Sequence, residues 1–294
     1  MMLKNRPIGE LLARSGPVIS VEFFPPKDDT GGEQIVETAR AIREQVNPDF
    51  VSITYGAGGT TRERTFRYAS ILKDEYGFEV MPHLTCVGSS KEELVDIIKG
   101  YQEVGFCNIM ALRGDPPKGE STFTPHPEGL PHAQDLVRLI RGEFSGFSIG
   151  VAGYPEVHPE APSAERDLHY LKEKVDAGAS FITTQLFYDN RNFLSFVERC
   201  RNAGIKVPVI PGLMPIRSAK QASRFCRDIP EELASALEKA GDDKAAIRET
   251  AIDWTYGQIV DLMDHDVKAF HLYIMNRSGM AVEVIKRLRE AGRL

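Results

Sequence analysis

Short apolar runs and amphipathic stretches alternate along the whole chain. The runs are rich in β-branched and aromatic residues, whereas the stretches between them repeat their apolar positions about every 3.6 residues, which favours strands and helices respectively. The predicted strands are Val18–Phe24, Phe50–Tyr55, Val80–Cys86, Asn108–Leu112, Ser148–Gly153, Phe181–Phe187, Val207–Leu213 and Lys268–Met275. The predicted helices are Gly32–Glu44, Arg62–Glu75, Lys91–Val104, Ala133–Phe144, Ala164–Ala177, Arg191–Ala203, a long helical stretch over Ser218–His265, and Gly279–Glu290.

This alternation predicts parallel strands, because each crossover helix must pack back on the sheet. Such βα units, repeated through 294 residues, are typical of a closed barrel or of a doubly wound open sheet. The GxGxxG of a dinucleotide-binding open sheet does not follow the first strand, and the glycines of 56–59 alone are more often a tight turn. We therefore predict an α/β fold: one (β/α)8 TIM barrel over residues 1–294, with extra helices before the eighth strand.

Composition narrows the class of protein further. The net charge of −6 argues against nucleic acid or an anionic membrane as the main partner. No apolar run approaches the ~20 residues of a membrane span, and the first residues lack the apolar core of a signal peptide. We therefore expect a cytoplasmic protein. The cysteines form no CxxC pair and the histidines show no HExxH spacing, so buried thiols and no metal site are predicted.

Polar side chains collect at the carboxyl ends of the predicted strands, where α/β barrels carry their chemistry. Glu22 is the most informative, because an unpaired charge inside a barrel strand is costly and is better explained by a position facing the mouth. Partial burial beside Phe23 or Phe24 should raise the pKa of Glu22, which suits a general acid. A structural salt bridge is the alternative interpretation.

The neighbouring strand ends carry groups that each allow two interpretations. Asp115 is either part of a turn with an ion pair to Arg113, or a hydrogen-bond acceptor for the amide-like edge of a ligand. Gln185 offers both a donor and an acceptor, which suits a heterocycle better than a phosphate. His83 is either a satisfied core histidine or a ligand contact.

The fifth βα unit carries a further group of polar residues. His158 lies in a proline-rich loop, where we expect it to be exposed and able to touch a phosphate. Asp167 and Lys174 are seven positions apart on one predicted helix and therefore share a face. That spacing is as typical of a helix surface as of a cofactor clamp.

A series of motifs points to one protein family. They are, in order, VEFFPPK, ITYGAGG, PHLTC, ALRGDPP, YPEVHPEA, KVDAGA, ITTQLFYD, PGLMP and LYIMNR. On these motifs, which cover nearly the whole chain, the sequence resembles the methylenetetrahydrofolate reductases. The resemblance implies an α/β barrel that binds FAD non-covalently and takes reducing equivalents from NADH or NADPH. It also implies reduction of 5,10-methylenetetrahydrofolate to 5-methyltetrahydrofolate by two successive hydride transfers through one site.

The resemblance also implies roles for single residues. Glu22 matches the general acid that protonates the folate as its five-membered ring opens, and Asp115 matches the aspartate that lies beside the flavin and hydrogen-bonds the pterin. Positions that match cofactor or nicotinamide contacts are Thr54, Tyr55, Ala57, His83, Arg113, Gly114, Asp115, His132, Ala133, Tyr154, His158, Asp167 and Lys174. Positions that match folate contacts are Asp115, Gln185, Gln221 and Arg277.

The sequence departs from the family pattern at three positions near the implied FAD contacts. His132 stands where bacterial members have a tyrosine, and Tyr170 and Glu173 replace polar and basic residues. These departures concern the adenosine part of the FAD site and leave the implied chemistry unchanged. The resemblance further implies a homo-oligomer, either a dimer or a tetramer.

Three other interpretations stay open on the sequence. A Schiff-base aldolase needs a desolvated lysine on an inner strand, and Lys268 is the only lysine in the predicted strands. A flavin-free folate-binding methyltransferase barrel would bind the same pterin. A catalytically silent binding protein would leave Glu22 without a function.

Overall fold

A computed structural model describes residues 4–26, 28–55, 62–116, 119, 123–216, 218, 220–222 and 226–294, except for the side chain of Asp29. In it, eight parallel strands close into a barrel in chain order, which confirms the predicted (β/α)8 fold. The strands are β1 Val18–Phe23, β2 Phe50–Ile53, β3 Val80–Thr85, β4 Asn108–Leu112, β5 Ser148–Gly153, β6 Phe181–Leu186, β7 Val209–Leu213 and β8 Ala269–Tyr273.

Helices follow the strands on the outside of the barrel, and one helix precedes them. They are α1 Ile8–Leu12, α2 Asp29–Ala41 with a π-helical turn Ile42–Val46, α3 Arg62–Asp74, α4 Lys91–Glu103, α5 Ala133–Glu143, α6 Ala164–Asp176, α7 Asn190–Asn202, α8 Glu231–Ala240, α9 Lys244–Asp264 and α10 Gly279–Glu290. The long helical stretch predicted before the eighth strand contains α8 and α9, which are separated at Gly241 with a φ of 53°. The extra helices are therefore confirmed.

Several strands are shorter than predicted at their ends. The eighth strand ends at Tyr273 rather than Met275, because Met275 and Asn276 have left-handed φ angles of 51° and 52° that no strand adopts. The seventh begins at Val209, since Pro208 has no N–H to donate to a ladder. The residues lost from the carboxyl ends begin the loops around the mouth.

The barrel interior changes character from one end to the other. Side chains near the amino ends of the strands form an apolar cluster with Ile8 of α1; its strand members include Val18, Phe50, Met81, Met110, Phe181 and Ile210. Backbone amides of α1 bind interior polar groups, since Ile8 N donates to Asn108 Oδ1 at 2.8 Å. Helix α1 therefore closes the amino end of the barrel.

Two residues further along the strands, the interior becomes polar. Alternation along a strand returns every second side chain to the same face, and the next inward positions are Ser20, Ser52, His83, Thr183 and His271, all buried. Barrel interiors are ordinarily filled by bulky branched apolar residues. A buried polar layer on the mouth side therefore marks the candidate site.

Two further predictions from the sequence concern the cysteine thiols and membrane-spanning helices. All four cysteines are buried free thiols, as predicted. None of the described helices is long and apolar enough to cross a membrane.

Candidate active site

A buried carboxylate and two buried histidines meet at the carboxyl end of β1. Glu22 is 6% exposed, and its Oε2 accepts a hydrogen bond from Ser52 Oγ at 3.2 Å. The same oxygen lies 3.4 Å from His83 Nε2 and 3.6 Å from His271 Nε2. With Ser20, which binds His271, these residues are called the proton cluster below.

Strand register brings the members of the proton cluster together. In the β1–β2 ladder Glu22 stands opposite Ser52, and in the β1–β8 ladder Ser20 stands opposite His271. Ser20 and Glu22 are two positions apart, so both point into the barrel. Closing the barrel by pairing the first strand with the last therefore places His271 next to Glu22.

The hydrogen bonds of Ser20 fix the orientation of the His271 ring. The Ser20 hydroxyl donates to the carbonyl oxygen of Phe270 at 3.1 Å, so its oxygen accepts from His271 Nδ1 at 2.7 Å. A neutral His271 then carries its proton on Nδ1 and turns the bare Nε2 toward Glu22 and Ser52. One further proton, held on Glu22 or on Nε2, completes the contact between the two residues.

The pKa of Glu22 is lowered, contrary to the rise expected from the sequence. Burial is the largest influence and does raise the pKa, but the hydrogen bond from His271, the charges of His83 and His271 and the Ser52 hydroxyl together outweigh it. The prediction was wrong because it surrounded Glu22 with phenylalanines. Phe23 packs instead in the outer core between strands and helices.

His83 is not a satisfied core histidine. It is 7% exposed, and its Nε2 has no hydrogen-bond partner among the described residues, although it faces Glu22. Burial lowers the pKa of His83, the charge of Glu22 opposes that effect, and His271 adds to it. Thr85 Oγ1, two positions nearer the mouth, is likewise buried without a partner in the described part of the chain. Both atoms are suited to a ligand at the mouth.

The opposite side of the mouth carries polar and charged residues on loops and on α6 rather than inside strands. We call Arg113, Asp115, Tyr154, His158, Asp167 and Lys174 the loop cluster. Arg113 binds both carboxylate oxygens of Glu160, at 2.7 and 3.1 Å. The local ion pair of Arg113 with Asp115 is therefore replaced by a longer-range one, and Asp115 is exposed.

Gly114 determines how Asp115 is presented. Its φ is 94°, which side chains rarely adopt, and a Cβ there would lie 2.9 Å from Val87 Cγ1 and 3.0 Å from Thr85 Cβ. The chain can turn outward here only without a side chain. The carboxylate of Asp115 is then free to face solvent or a ligand.

Lys174 and Asp167 lie on the same face of α6, as predicted, and that face contacts the fifth strand. Lys174 Nζ donates to the carbonyl oxygen of Ala152 at 2.6 Å. Burial lowers the pKa of Lys174 to about 8, with the charge of Asp167 opposing the shift. Asp167 in turn accepts from the backbone N–H of His158 at 3.1 Å. A lysine so poorly solvated is suited to an anionic ligand.

His158 is half-buried, so the expectation that it is exposed was wrong. Burial lowers its pKa, and the edge of its ring packs on Tyr154 with centroids 4.5 Å apart. Burial also raises the pKa of Tyr154 to about 12, with Asp115 the next contribution. The loop after β5 is therefore packed against α6 rather than open to solvent.

The other predicted contacts surround the mouth. Half-buried residues at loops or helix starts are Thr54, Tyr55, Ala133 and Gln221, and exposed ones are Gln185, His132 and Arg277. The β6–β7 register shifts between Thr183 and Leu186, an irregularity of the kind that re-aims a side chain such as Gln185. Ala57 lies outside the described residues.

Sequence reasoning missed Ser20, Ser52 and His271. Each is a polar residue at an inward position of a strand, so strict alternation from Glu22 and from the apolar layer was a usable signal. It also missed Tyr273, whose hydroxyl donates to the carbonyl oxygen of Thr184 at 2.7 Å and whose ring is perpendicular to that of His271, with centroids 5.2 Å apart. No signal in the sequence indicated that pairing.

Acid–base groups gathered at the carboxyl ends of the strands, above an apolar amino end, are typical of the TIM-barrel enzymes. Among these, the chain belongs to the methylenetetrahydrofolate reductase family, whose model matches residues 8–289.

Relatives from plants and bacteria agree with this assignment. The Arabidopsis thaliana protein named methylenetetrahydrofolate reductase (NADH) 1 is 39% identical over 283 residues, which make up 92% of this chain and 48% of that protein. The 5,10-methylenetetrahydrofolate reductase of Escherichia coli is 39% identical over 274 residues, or 92% of this chain and 90% of that one. The chain spans about half the length of the plant relatives it matches.

Solved structures share the barrel. An uncharacterized protein from Clostridium thermocellum that binds two copies of 5-methyl-5,6,7,8-tetrahydrofolic acid gives a TM-score of 0.65 at 17% identity, over 96% of this chain and 97% of that one. Oxaloacetate acetylhydrolase gives 0.52 at 12% identity, over 97% of this chain and 86% of that one. At these identities the likeness shows the fold alone.

Proposed function

We propose that the chain reduces 5,10-methylenetetrahydrofolate to 5-methyltetrahydrofolate, with bound FAD and a nicotinamide co-substrate, in a ping-pong reaction. The observation that carries the proposal is the buried pairing of Glu22 with His271 and His83 at the mouth of a barrel of this family. A carboxylate in that position needs a chemical reason, because burying it is costly. Proton delivery to a folate nitrogen supplies one.

The chemistry of the loop cluster fits FAD. Lys174 and Arg113 are partly desolvated cations suited to the two phosphates. Asp115 and Gln185 are exposed and offer a carboxylate and an amide to the edge of a heterocycle. When bound, FAD would accept hydride from the nicotinamide and pass it to the folate.

Two of the three departures from the family pattern, Tyr170 and Glu173, lie on α6. Tyr170 is 39% exposed and lies against Arg166, whose guanidinium carbon is 5.1 Å from its ring centroid. Glu173 is within 3.7 Å of His169. Neither residue contacts Lys174 or Asp167 through these interactions, so the residues proposed to hold the cofactor keep their partners.

Glu22 is proposed as the proton donor, and its surroundings control its pKa. With its pKa lowered, the carboxyl group is ionised at neutral pH in the free protein. A ligand that covers the mouth adds to burial, which is already the largest influence on this pKa, and therefore raises it. His271 Nε2 lies close enough to Glu22 to share a proton with it when the pKa of Glu22 changes.

The remaining expectations are part of the same proposal. Plant relatives named as NADH enzymes support NADH as the nicotinamide, with NADPH as the alternative. Cytoplasmic location, a single domain over the whole chain and a homo-oligomeric state stay predictions.

The Schiff-base aldolase alternative loses its candidate lysine. Lys268 is exposed and precedes β8 at the amino end of the barrel, away from the mouth. The described strands contain no lysine. None of them therefore supplies the inner-strand amine that would form the imine.

Anaerobic stopped-flow spectroscopy tests the proposal. The purified protein should show flavin absorbance, lose it on mixing with NADH or NADPH, and regain it on mixing with methylenetetrahydrofolate. A protein that is colourless and does not bind added FAD would contradict the proposal. That outcome would favour the flavin-free methyltransferase type of barrel. An assay for methyl transfer from the folate to a thiol or a corrinoid would then test that alternative.

A further inference from the structure

Glu156 bridges two loops that are far apart in the sequence. It lies between β5 and α6, and its Oε2 accepts from the backbone N–H of Arg227 at 2.8 Å. The backbone N–H of Asp228 also stabilises the charged carboxylate. Residues 227 and 228 belong to the segment between β7 and α8. One half-buried carboxylate thus holds a backbone amide of another βα unit.

The residue after Glu156, Val157, has a strained backbone conformation that turns the chain between Glu156 and His158. Val157 has a φ of 69°, and a β-branched residue rarely adopts a left-handed conformation. Its N–H donates to the carbonyl oxygen of Tyr154 at 3.2 Å and closes a turn. Glu156 on one side then meets the Arg227 amide, while His158 on the other meets Asp167. Such a backbone conformation persists only where the surroundings enforce it.

Backbone hydrogen bonds between described residues connect the contact to Gln221. Cys226 N donates to the carbonyl oxygen of Ala222 at 3.1 Å, and the Cys226 thiol donates to the carbonyl oxygen of Leu186 at 3.4 Å. Ala222 and Gln221 both donate to the carbonyl oxygen of Ser218, at 3.2 and 3.0 Å. Fixing residue 227 therefore restrains Cys226 and, through its hydrogen bond, the backbone of Ala222 beside Gln221.

The groups around Glu156 show that amides, not side-chain charges, hold it. Arg227 attracts and Asp228 repels the carboxylate, so the two side chains oppose each other. Asp228 is itself held by Asn192 Nδ2 at 3.0 Å. The Tyr188 hydroxyl and the Cys226 thiol face the same buried region. Replacing the Arg227 side chain should therefore leave the contact intact.

We propose that Glu156 is a positioning residue: by accepting the amide of residue 227, it restrains the backbone of Ala222 and of the neighbouring Gln221, which we propose as a folate contact. The inference rests on the proposed function, since Gln221 matters only if folate binds there. The restraint of the residue 227 amide by the Glu156 carboxylate is independent of any reaction.

Two measurements on Glu156→Ala test the proposal. The KM for methylenetetrahydrofolate should rise about tenfold, the effect of losing one charge-assisted hydrogen bond, while the rate of flavin reduction by NADH stays unchanged. Amide hydrogen exchange at residue 227 should accelerate by a similar factor. Glu156→Gln, which keeps one acceptor oxygen, should give intermediate values. Arg227→Ala and the exposed Glu198→Gln should match the wild-type protein.

The outcomes distinguish the positioning role of Glu156 from the proposed function of the protein. Faster exchange with an unchanged KM would overturn the positioning role, and unchanged exchange would overturn the restraint itself. A wild-type protein without folate reduction would instead defeat the proposed function, and the exchange measurement would still report on Glu156. Glu156→Gln provides both readouts if the alanine variant does not fold.

Discussion

The two sides of the barrel mouth are built on opposite principles. The proton cluster sits inside the strands, is buried, and consists of groups whose hydrogen bonds fix one another. The loop cluster stands on segments beyond the strand ends, and Asp115, its most exposed member, has a carboxylate open to solvent. Strand register sets distances on the first side, and packing of loops against α6 sets them on the second.

The difference separates two tasks. Moving a proton requires a donor and an acceptor held within hydrogen-bond reach and shielded from water, which rigid strands provide. Binding a large cofactor requires groups that remain open until it arrives, which loops provide. We therefore expect substitutions in the proton cluster to change rates and pH dependence, and substitutions in the loop cluster to change cofactor affinity and reduction.

Glu22→Gln should give the largest effect. Folate reduction should fall by about 10³-fold, within the range contributed by a positioned general acid, while FAD binding and flavin reduction by the nicotinamide survive. Stopped-flow measurement of the two half-reactions checks this, with the exposed Glu33→Gln as the control. Full folate turnover by Glu22→Gln would remove the assigned role.

Asp115→Asn should act on both half-reactions. A negative charge beside developing positive charge contributes electrostatic stabilisation, so folate reduction should slow by about 10²-fold, and the rate of flavin reduction should also change. The control is Asp242→Asn, an exposed carboxylate in the turn between α8 and α9. Unchanged rates in both half-reactions would exclude Asp115 from the mechanism.

His271→Asn should slow folate reduction by about tenfold, the effect of one lost hydrogen bond to a charged group. It should also shift the pH dependence of that rate. The hydrogen bond from His271 opposes the effect of burial on Glu22. Without it the pKa of Glu22 rises, and the corresponding limb of the pH–rate profile should shift to higher pH. His265→Asn, at an exposed helix end, is the control. A slower enzyme with an unmoved pH profile would indicate a merely structural role.

Lys174→Met should give the smallest effect, a loss of FAD affinity of about fivefold, as for an ordinary hydrogen bond. The pKa of about 8 means that the lysine is charged below that pH and loses its proton above it. FAD affinity of the wild-type protein should therefore fall as the pH rises through 8, and that of the variant should not. Fluorescence titration from pH 6.5 to about 9.5 measures both. Lys172→Met, whose amine binds Asp176 on the same helix, is the control.

Much of the fold was predictable because it is local. Each βα unit is encoded by a short apolar run and an amphipathic helix, so the strand order and the helices before β8 could be predicted without tertiary information. Glu22 could be singled out for the same reason, since a carboxylate inside a strand is anomalous wherever that strand lies.

Tertiary structure alone decided what surrounds Glu22 and therefore the direction in which its pKa moves. His271 is separated from Ser20 by 251 positions, and only closure of the barrel between the first and last strands makes them neighbours. A sequence reveals which residues are polar and which face of a strand they occupy. The electrostatics of a buried group depends instead on atoms a few ångströms away, and in a closed barrel those atoms come from opposite ends of the chain.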